Sequence, residues 1–263
     1  MTAMRLVAHT CSNTEIVCAL GRGDWLVGVD EHSDHPPEVV GALPRIGPDL
    51  DVDVEKIRAL EPDLVITSLT VPGHEKCLEK MQAANLPLLV TQPHGLADVA
   101  ADIRRIGQAI DAAAAAERLA GRFDAELDKT PADDDSLLPI LVEWWPKPVI
   151  VPGRDSWVNE MLRLTGARNP WENEPAESLI VQADDALRKG PQAVIMSWCG
   201  VSEDKYHAHV VRRREGWQQV PAIAGNRIFP LSEQWLARPG PRLLDGMEKL
   251  RRLVARCQSG TTE

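Results

Sequence analysis

Two rhythms of apolar residues alternate along the chain: short unbroken runs, and stretches in which apolar positions fall three and four apart. The first rhythm predicts buried parallel strands and the second amphipathic helices. Leu6 to His9, Leu26 to Val29, Leu64 to Thr67 and Leu86 to Val90 read as four strands. Cys11 to Thr14 reads as a turn, and Glu15 to Leu20 as a short helix closed by Gly21. Val54, Ile57 and Leu60 mark one face of a further helix. The polar loop Asp30 to Asp34 leads into His35-Pro36-Pro37, where the prolines impose an extended or turned backbone.

The texture changes over 96–129. Val99, Ile103, Ile106, Ile110, Leu119, Phe123 and Leu127 keep a helical spacing, and Ala112 to Ala116 has high helix propensity. No proline intervenes before Pro131. The pattern predicts one helix on the order of 50 Å long, more than a crossover needs. Asp133 to Asp135 then reads as a linker. The second half restarts the alternation, with strands at Pro139 to Trp144, Val194 to Trp198 and Arg227 to Leu231. Trp157 to Thr165 is a helix stopped by Gly166. Pro241 to Ala255 is a closing helix, with basic Arg251, Arg252 and Arg256 near its negative end.

These elements predict an α/β fold of two lobes with a ligand cleft between them, joined by one long interlobe helix. The N-terminal lobe is 1–95, the helix 96–130 and the C-terminal lobe 131–263. An internal echo supports two similar lobes. Glu55, Pro62 and Ser68 recur at the same offsets as Asp184, Pro191 and Ser197, each time around an apolar strand.

Composition narrows the function classes. The chain has 263 residues, 44% hydrophobic and 26% charged, which excludes a disordered or coiled-coil protein. A formal charge of −10 disfavours nucleic acid and anionic membrane as partners. No apolar segment is long enough to span a bilayer. Five cysteines, an odd number without regular spacing, make no disulfide framework. With no signal peptide visible, the chain as written predicts a cytoplasmic protein. A start trimmed of its leader would place it in the periplasm. The aromatic set is skewed to 8 Trp against 1 Tyr and 2 Phe. Tryptophan suits both core filling and ligand stacking.

In open α/β sheets ligands sit beyond the carboxyl ends of the strands. Here those ends hold Cys11-Ser12-Asn13, the loop around His35, Ser68, Trp144-Trp145, Trp198 and Gln234-Trp235. Several polar groups among tryptophans fit a binding pocket better than a hydrolase site. Ser12-Asn13-Thr14-Glu15-Ile16, Val27-Gly28-Val29, Ser33 to Pro37, Leu43-Pro44-Arg45-Ile46-Gly47, Val54 to Ile57 and Leu60 to Ile66 follow one another in the first half. Pro152-Gly153, Gly190 to Ile195, Trp235 and Pro241-Arg242 follow in the second. In this order the chain resembles, over nearly its whole length, the helix-linked substrate-binding proteins of ABC importers that carry cobalamin, siderophores and haem. Ser33 to Pro37 and Leu231 to Arg242 are most similar to the cobalamin-binding branch.

The resemblance implies a non-enzymatic, monomeric carrier with no obligatory cofactor, whose ligand is a metal chelate, cobalamin or another corrinoid first. It implies ligand contacts from Cys11, Ser12, Asn13, His35, Ser68, Trp144, Trp198, Trp235 and Arg238, with His35 as an axial contact to a corrinoid metal. It also implies docking on an ABC permease through Glu55 and Asp184. Exposed ion pairs contribute about 0–1 kcal/mol, so such contacts orient a complex more than they hold it. Two features depart from the family: the missing export signal, and Cys11 where the family often has proline.

Plainer roles exist for each residue. His35 also reads as a loop histidine fixed by Pro36, Trp235 as packing and Arg238 as half of a salt bridge. Ser68 and Ser197 also read as small residues that make room, and Glu55 and Asp184 as helix N-terminal acids favoured by the dipole. Siderophore, haem and direct metal-ion capture remain alternatives. A remote one is a cysteine-dependent enzyme, with Cys11 activated by His9 or His35. No Gly-x-Ser-x-Gly elbow or dinucleotide fingerprint accompanies it.

Overall fold

The computed structural model describes residues 3–130 and 133–259. Its contacts divide the chain into two compact units, Met1–Pro93 with Ala97–Asp124, and His94–Leu96 with Ala125–Glu263.

The first unit is built on a parallel sheet of order β2-β1-β3-β4. Its strands are β1 (Leu6–Ala8), β2 (Leu26–Val29), β3 (Leu64–Ser68) and β4 (Leu88–Thr91). Every residue of β1 is buried, as an unbroken apolar run in a covered parallel strand requires. Helices α1 (Cys11–Ala19), α2 (Pro37–Val40), α3 (Val54–Ala59) and α4 (His74–Ala83) connect the strands. Val7, Ile46, Val52, Ile57, Val65, Cys77 and Met81 form one core cluster. Asp53 caps α3 by accepting the Lys56 N–H at 3.1 Å.

Two expectations are corrected here. Cys11 to Thr14 is the first turn of α1, not a turn before it. Thr10, at φ 79°, bends the chain straight off β1 into the helix, and Asn13 Nδ2 ties back to the His9 carbonyl at 2.9 Å. The single helix expected over 96–129 is two helices, α5 (Leu96–Ala109) and α6 (Ala113–Leu127). Asp111 takes φ 53° between them, and Arg22 donates to the Ile110 and Asp111 carbonyls at 3.2 and 2.5 Å. The guanidinium thus satisfies acceptors that a helix end leaves open. Arg104 on α5 reaches both Glu117 and Asp124 on α6, at 2.8 and 2.5 Å, so the helices fold back on each other. Neither glycine nor proline occupies 110–112. The break is set by these partners, which a propensity reading does not contain.

The second unit has a parallel sheet of order β11-β10-β5-β8, made of β5 (Leu138–Glu143), β8 (Ala167–Arg168), β10 (Ala193–Met196) and β11 (Ile228–Pro230). Beside it β6 (Trp145–Pro146), β7 (Val149–Pro152) and β9 (Ser178–Ile180) form an antiparallel sheet. The helices are α7 (Val158–Leu164), α8 (Ala183–Lys189), α9 (Ala208–Arg212), α10 (Pro221–Ala224) and α11 (Leu243–Ser259). Trp171, Trp198, Trp217 and Tyr206 fill much of its core. Read from the other edge, its strand order β8-β5-β10-β11 repeats β2-β1-β3-β4. The sequence echo therefore marks topologically equivalent pairs, α3 with β3 and α8 with β10.

A glycine marks the α5–α6 contact. A Cβ on Gly107 would lie 2.2 Å from the Ala116 Cβ. Replacing an interior helical glycine by alanine ordinarily stabilises by about 0.5–1 kcal/mol. Here the close approach reverses the sign, and Gly107→Ala is expected to destabilise by about 1–3 kcal/mol in urea unfolding.

Candidate functional site

In the first unit, the carboxyl ends of the strands converge on a buried polar network. The Thr10 hydroxyl lies 3.1 Å from Ser12 Oγ and 3.0 Å from Ser68 Oγ. Asn13 Nδ2 donates to Thr10 Oγ1 at 3.3 Å, and Thr91 donates to Asn13 Oδ1 at 3.4 Å. Ser12, Asn13 and Ser68 are thus brought together, but all are buried and bonded to one another.

Beside this network is a group that the sequence reading missed. His9 Nε2 donates to the Asp49 carbonyl at 2.7 Å, so Nδ1 accepts from the Thr67 hydroxyl, also at 2.7 Å. His74 packs edge-on against His9 at 5.3 Å. The Asp49 carboxylate has His32 Nε2 at 3.4 Å and His74 Nε2 at 3.8 Å. Their neighbourhood, that of His74 most of all, holds the Asp49 carboxyl below its ordinary range. Burial pushes the His9 imidazole down to about 4, so it is neutral at pH 7. These residues come from three loops and the first turn of α4, and no spacing in the sequence links them. Among the described residues no group of three or more His, Cys, Asp or Glu side chains is arranged to hold a metal ion.

Cys11 is half-buried, and its thiol donates to the His32 carbonyl at 3.0 Å. Both ring nitrogens of His9 are engaged elsewhere, so His9 does not serve Cys11 as a base. His35 stands in a different setting. Its loop is locked by Arg45, whose guanidinium donates to the carbonyls of Asp30, Ser33 and Val40 at 2.9, 2.7 and 3.1 Å. Thr14 and Ser33 pair their hydroxyls at 2.8 Å below it. The loop presents His35 as an exposed side chain.

In the second unit, β5 ends in a buried carboxylate, Glu143. Arg214 grips it with two bonds of 2.9 Å, and the Trp198 indole donates to it at 2.9 Å. Burial pushes the Glu143 carboxyl up, and the arginine and indole pull it back only in part. Trp198 is 4% exposed and packs at a tilt against Tyr206, whose hydroxyl donates to the Trp198 carbonyl at 2.8 Å. Its ring belongs to the core of the second unit, with its N–H already committed. Trp144 is half-buried where the chain leaves β5, and Trp145 points outward. Trp235 is half-buried with Lys249 Nζ 4.6 Å from its ring centre. Arg238 pairs with Glu233 at 2.6 Å, both largely buried.

The two acids of the sequence echo are exposed on the first turns of α3 and α8. Glu55 has Arg58 at 3.5 Å. Asp184 is exposed, whereas its neighbour Asp185 is engaged by Arg188 and by the Trp171 indole. That separates two adjacent aspartates that the sequence alone left equivalent.

Comparison with known proteins agrees with this arrangement. Residues 6–234 match the family described as periplasmic binding protein. The chain is 30% identical over 256 residues to an ABC transporter substrate-binding lipoprotein of Bacillus subtilis, covering 94% of this chain and 78% of that one. It is 28% identical over 246 residues to a vitamin B12-binding protein of Vibrio parahaemolyticus, covering 92% and 86%. The solved structure of a periplasmic haem-binding protein from Roseiflexus superposes with a TM-score of 0.81 at 26% identity, covering 99% and 100%. All three are described as binding proteins. With the occupied nitrogens of His9, that sets aside the cysteine-enzyme reading.

Two expected outcomes follow from the buried charges. His9 has an ordinary value of 6.5 when unfolded and about 4 when folded. Its contribution is complete above pH 6.5 and is lost as the pH falls toward 4, by up to about 3 kcal/mol. Urea unfolding at pH 7 and 4.5 should show this loss, and His9→Gln should flatten the difference; an equal slope in the variant would assign it to other groups. Arg214→Ala strands the Glu143 carboxylate and should cost about 3–5 kcal/mol, while the pair Glu143→Leu with Arg214→Met should recover most of that in the same measurement.

Proposed function

This chain belongs to the periplasmic binding protein family, and on that premise we propose that it captures a corrinoid for an ABC importer. As a substrate-binding protein of the ABC-transporter class it holds a small chelate and hands it to a permease. An importer's capture protein works outside the inner membrane, the second of the two compartments that the sequence leaves open. Among the described residues no helix is long and apolar enough to cross a membrane.

The observation that carries the corrinoid reading is the exposed His35 on its Arg45-locked loop. A neutral imidazole with a free nitrogen is a good ligand for a metal with an open axial position. A rigid loop offers it without the ordering cost that a mobile one carries. Half-buried Trp144 and Cys11 are the other proposed contacts with open surface, and Ser12, Asn13 and Ser68 stiffen the floor beneath Cys11. Trp198 and Arg238 act in this reading through the Glu143 and Glu233 partners that fix them. Trp235 offers the remaining part of its ring.

Haem is the second reading. The Roseiflexus haem-binding structure covers the whole length of this chain, and the same imidazole would ligate haem iron.

Purified protein titrated with aquocobalamin and passed over gel filtration should keep its colour with a shifted corrin spectrum. His35→Ala should lose the shift and weaken binding roughly tenfold or more, the effect of removing one good metal contact. Colour retained from haemin but not from aquocobalamin would instead establish the second reading.

A further inference from the structure

Large apolar side chains exposed to solvent are few in this protein, and they are not scattered. The described residues include Leu50, Val71, Trp145, Ile180 and Leu187 in that class, each between 40% and 56% exposed. Chain proximity and sheet pairing link them to the two segments that carry the exposed acids of the echo.

In the first unit, Leu50 precedes Glu55 by five residues. Its Cδ2 would lie 3.3 Å from a Cβ on Gly73, which places it against the loop that carries Val71. In the second unit, Trp145 is directly opposite Ile150 on β7, and Ile150 is directly opposite Ile180 on β9. Residues opposite one another on adjacent strands share a face, so the three form an apolar row across the small sheet. The chain then enters α8, where Asp184 follows Ile180 by four residues. Leu187 lies one turn further on the same helical face, also exposed. Each unit therefore carries an exposed carboxylate on a segment that follows within five residues of an exposed apolar cluster.

We propose that these clusters are the apolar halves of two docking patches for the permease, Leu50 with Val71 beside Glu55, and Trp145, Ile150, Ile180 and Leu187 around Asp184. The inference rests on the importer reading above. An exposed ion pair raises affinity by about fivefold at most, so the acids alone do not hold a complex. Apolar ridges beside them supply area that is removed from water on contact. The partner fits if it offers apolar hollows next to basic side chains. A lipid surface does not fit, because each patch carries an acid and the chain as a whole is at −10. A second copy does not fit either: two-fold pairing of one patch would set Asp184 against Asp184.

The test measures binding of the full chain to nanodiscs that hold the cognate permease–ATPase complex, with empty nanodiscs of the same lipid as the reference. The double variant Ile180→Ser with Leu187→Ser, and separately Leu50→Ser with Val71→Ser, should each weaken binding about tenfold or more. Their thermal midpoints and far-UV spectra should match the unaltered protein, and Ile180→Val with Leu187→Met should keep its affinity. Unchanged affinity in both serine pairs, while Glu55→Ala or Asp184→Ala weakens binding, overturns the inference and leaves the importer reading in place. Equal binding to empty nanodiscs, or a dimer that both serine pairs abolish, overturns it in favour of lipid or of a second copy. No binding of the unaltered protein to the loaded nanodiscs overturns the importer reading itself.

Discussion

Parallel strands covered on both faces have no tolerance for polar side chains along their length, so polar chemistry collects where the strands end. That constraint organises both units of this protein. In β1 every residue is apolar and buried, and the first polar side chains, His9 and Thr10, appear as the strand finishes. In β5 five apolar positions precede Glu143, the last residue of the strand. The ligand contacts proposed above lie along the same edge, where hydrogen-bonding groups are available.

The two units meet the cost of these polar ends differently. At the ends of β1 and β3 the first spreads it over neutral groups: hydroxyls, an amide and an uncharged imidazole, linked by hydrogen bonds. Such a network is stiff and carries little charge, and it leaves the nearby His35 loop to be fixed by Arg45. The second unit concentrates the cost in one buried ion pair, Glu143 with Arg214, reinforced by the Trp198 indole. A buried pair of this kind fixes geometry more reliably than it adds stability. It orients the tryptophan wall at the end of β5 and β10 and spends the indole N–H in doing so.

Outside these edges the surface is divided by the same repeated topology. α3 with β3 and α8 with β10 occupy equivalent places, and each pair exposes a carboxylate at the helix start with apolar residues close by. In the docking proposed above, charge directs the approach and a modest apolar contact sets the lifetime of the complex.

The sequence by itself determined the α/β class, most strand and helix positions, and the equivalence of the Glu55 and Asp184 segments. All of these are written in local periodicity and in short-range offsets. It also placed Cys11, Ser12, Asn13, Ser68 and Trp144 at strand ends, since a strand's end can be read from where its apolar run stops. Tertiary structure decided the rest. The break at Asp111 depends on Arg22, 89 residues away, capping carbonyls that a continuous helix would have used itself. The His9, His32, His74 and Asp49 group exists only because three loops meet the first turn of α4, and no local pattern announces that meeting. Trp198 and Trp144 look alike in sequence, yet Glu143 takes the indole of the first and leaves the second partly open. Periodicity reports which face of an element is buried; it carries no record of which distant partner will claim a side chain, and that partner settles what the side chain can do.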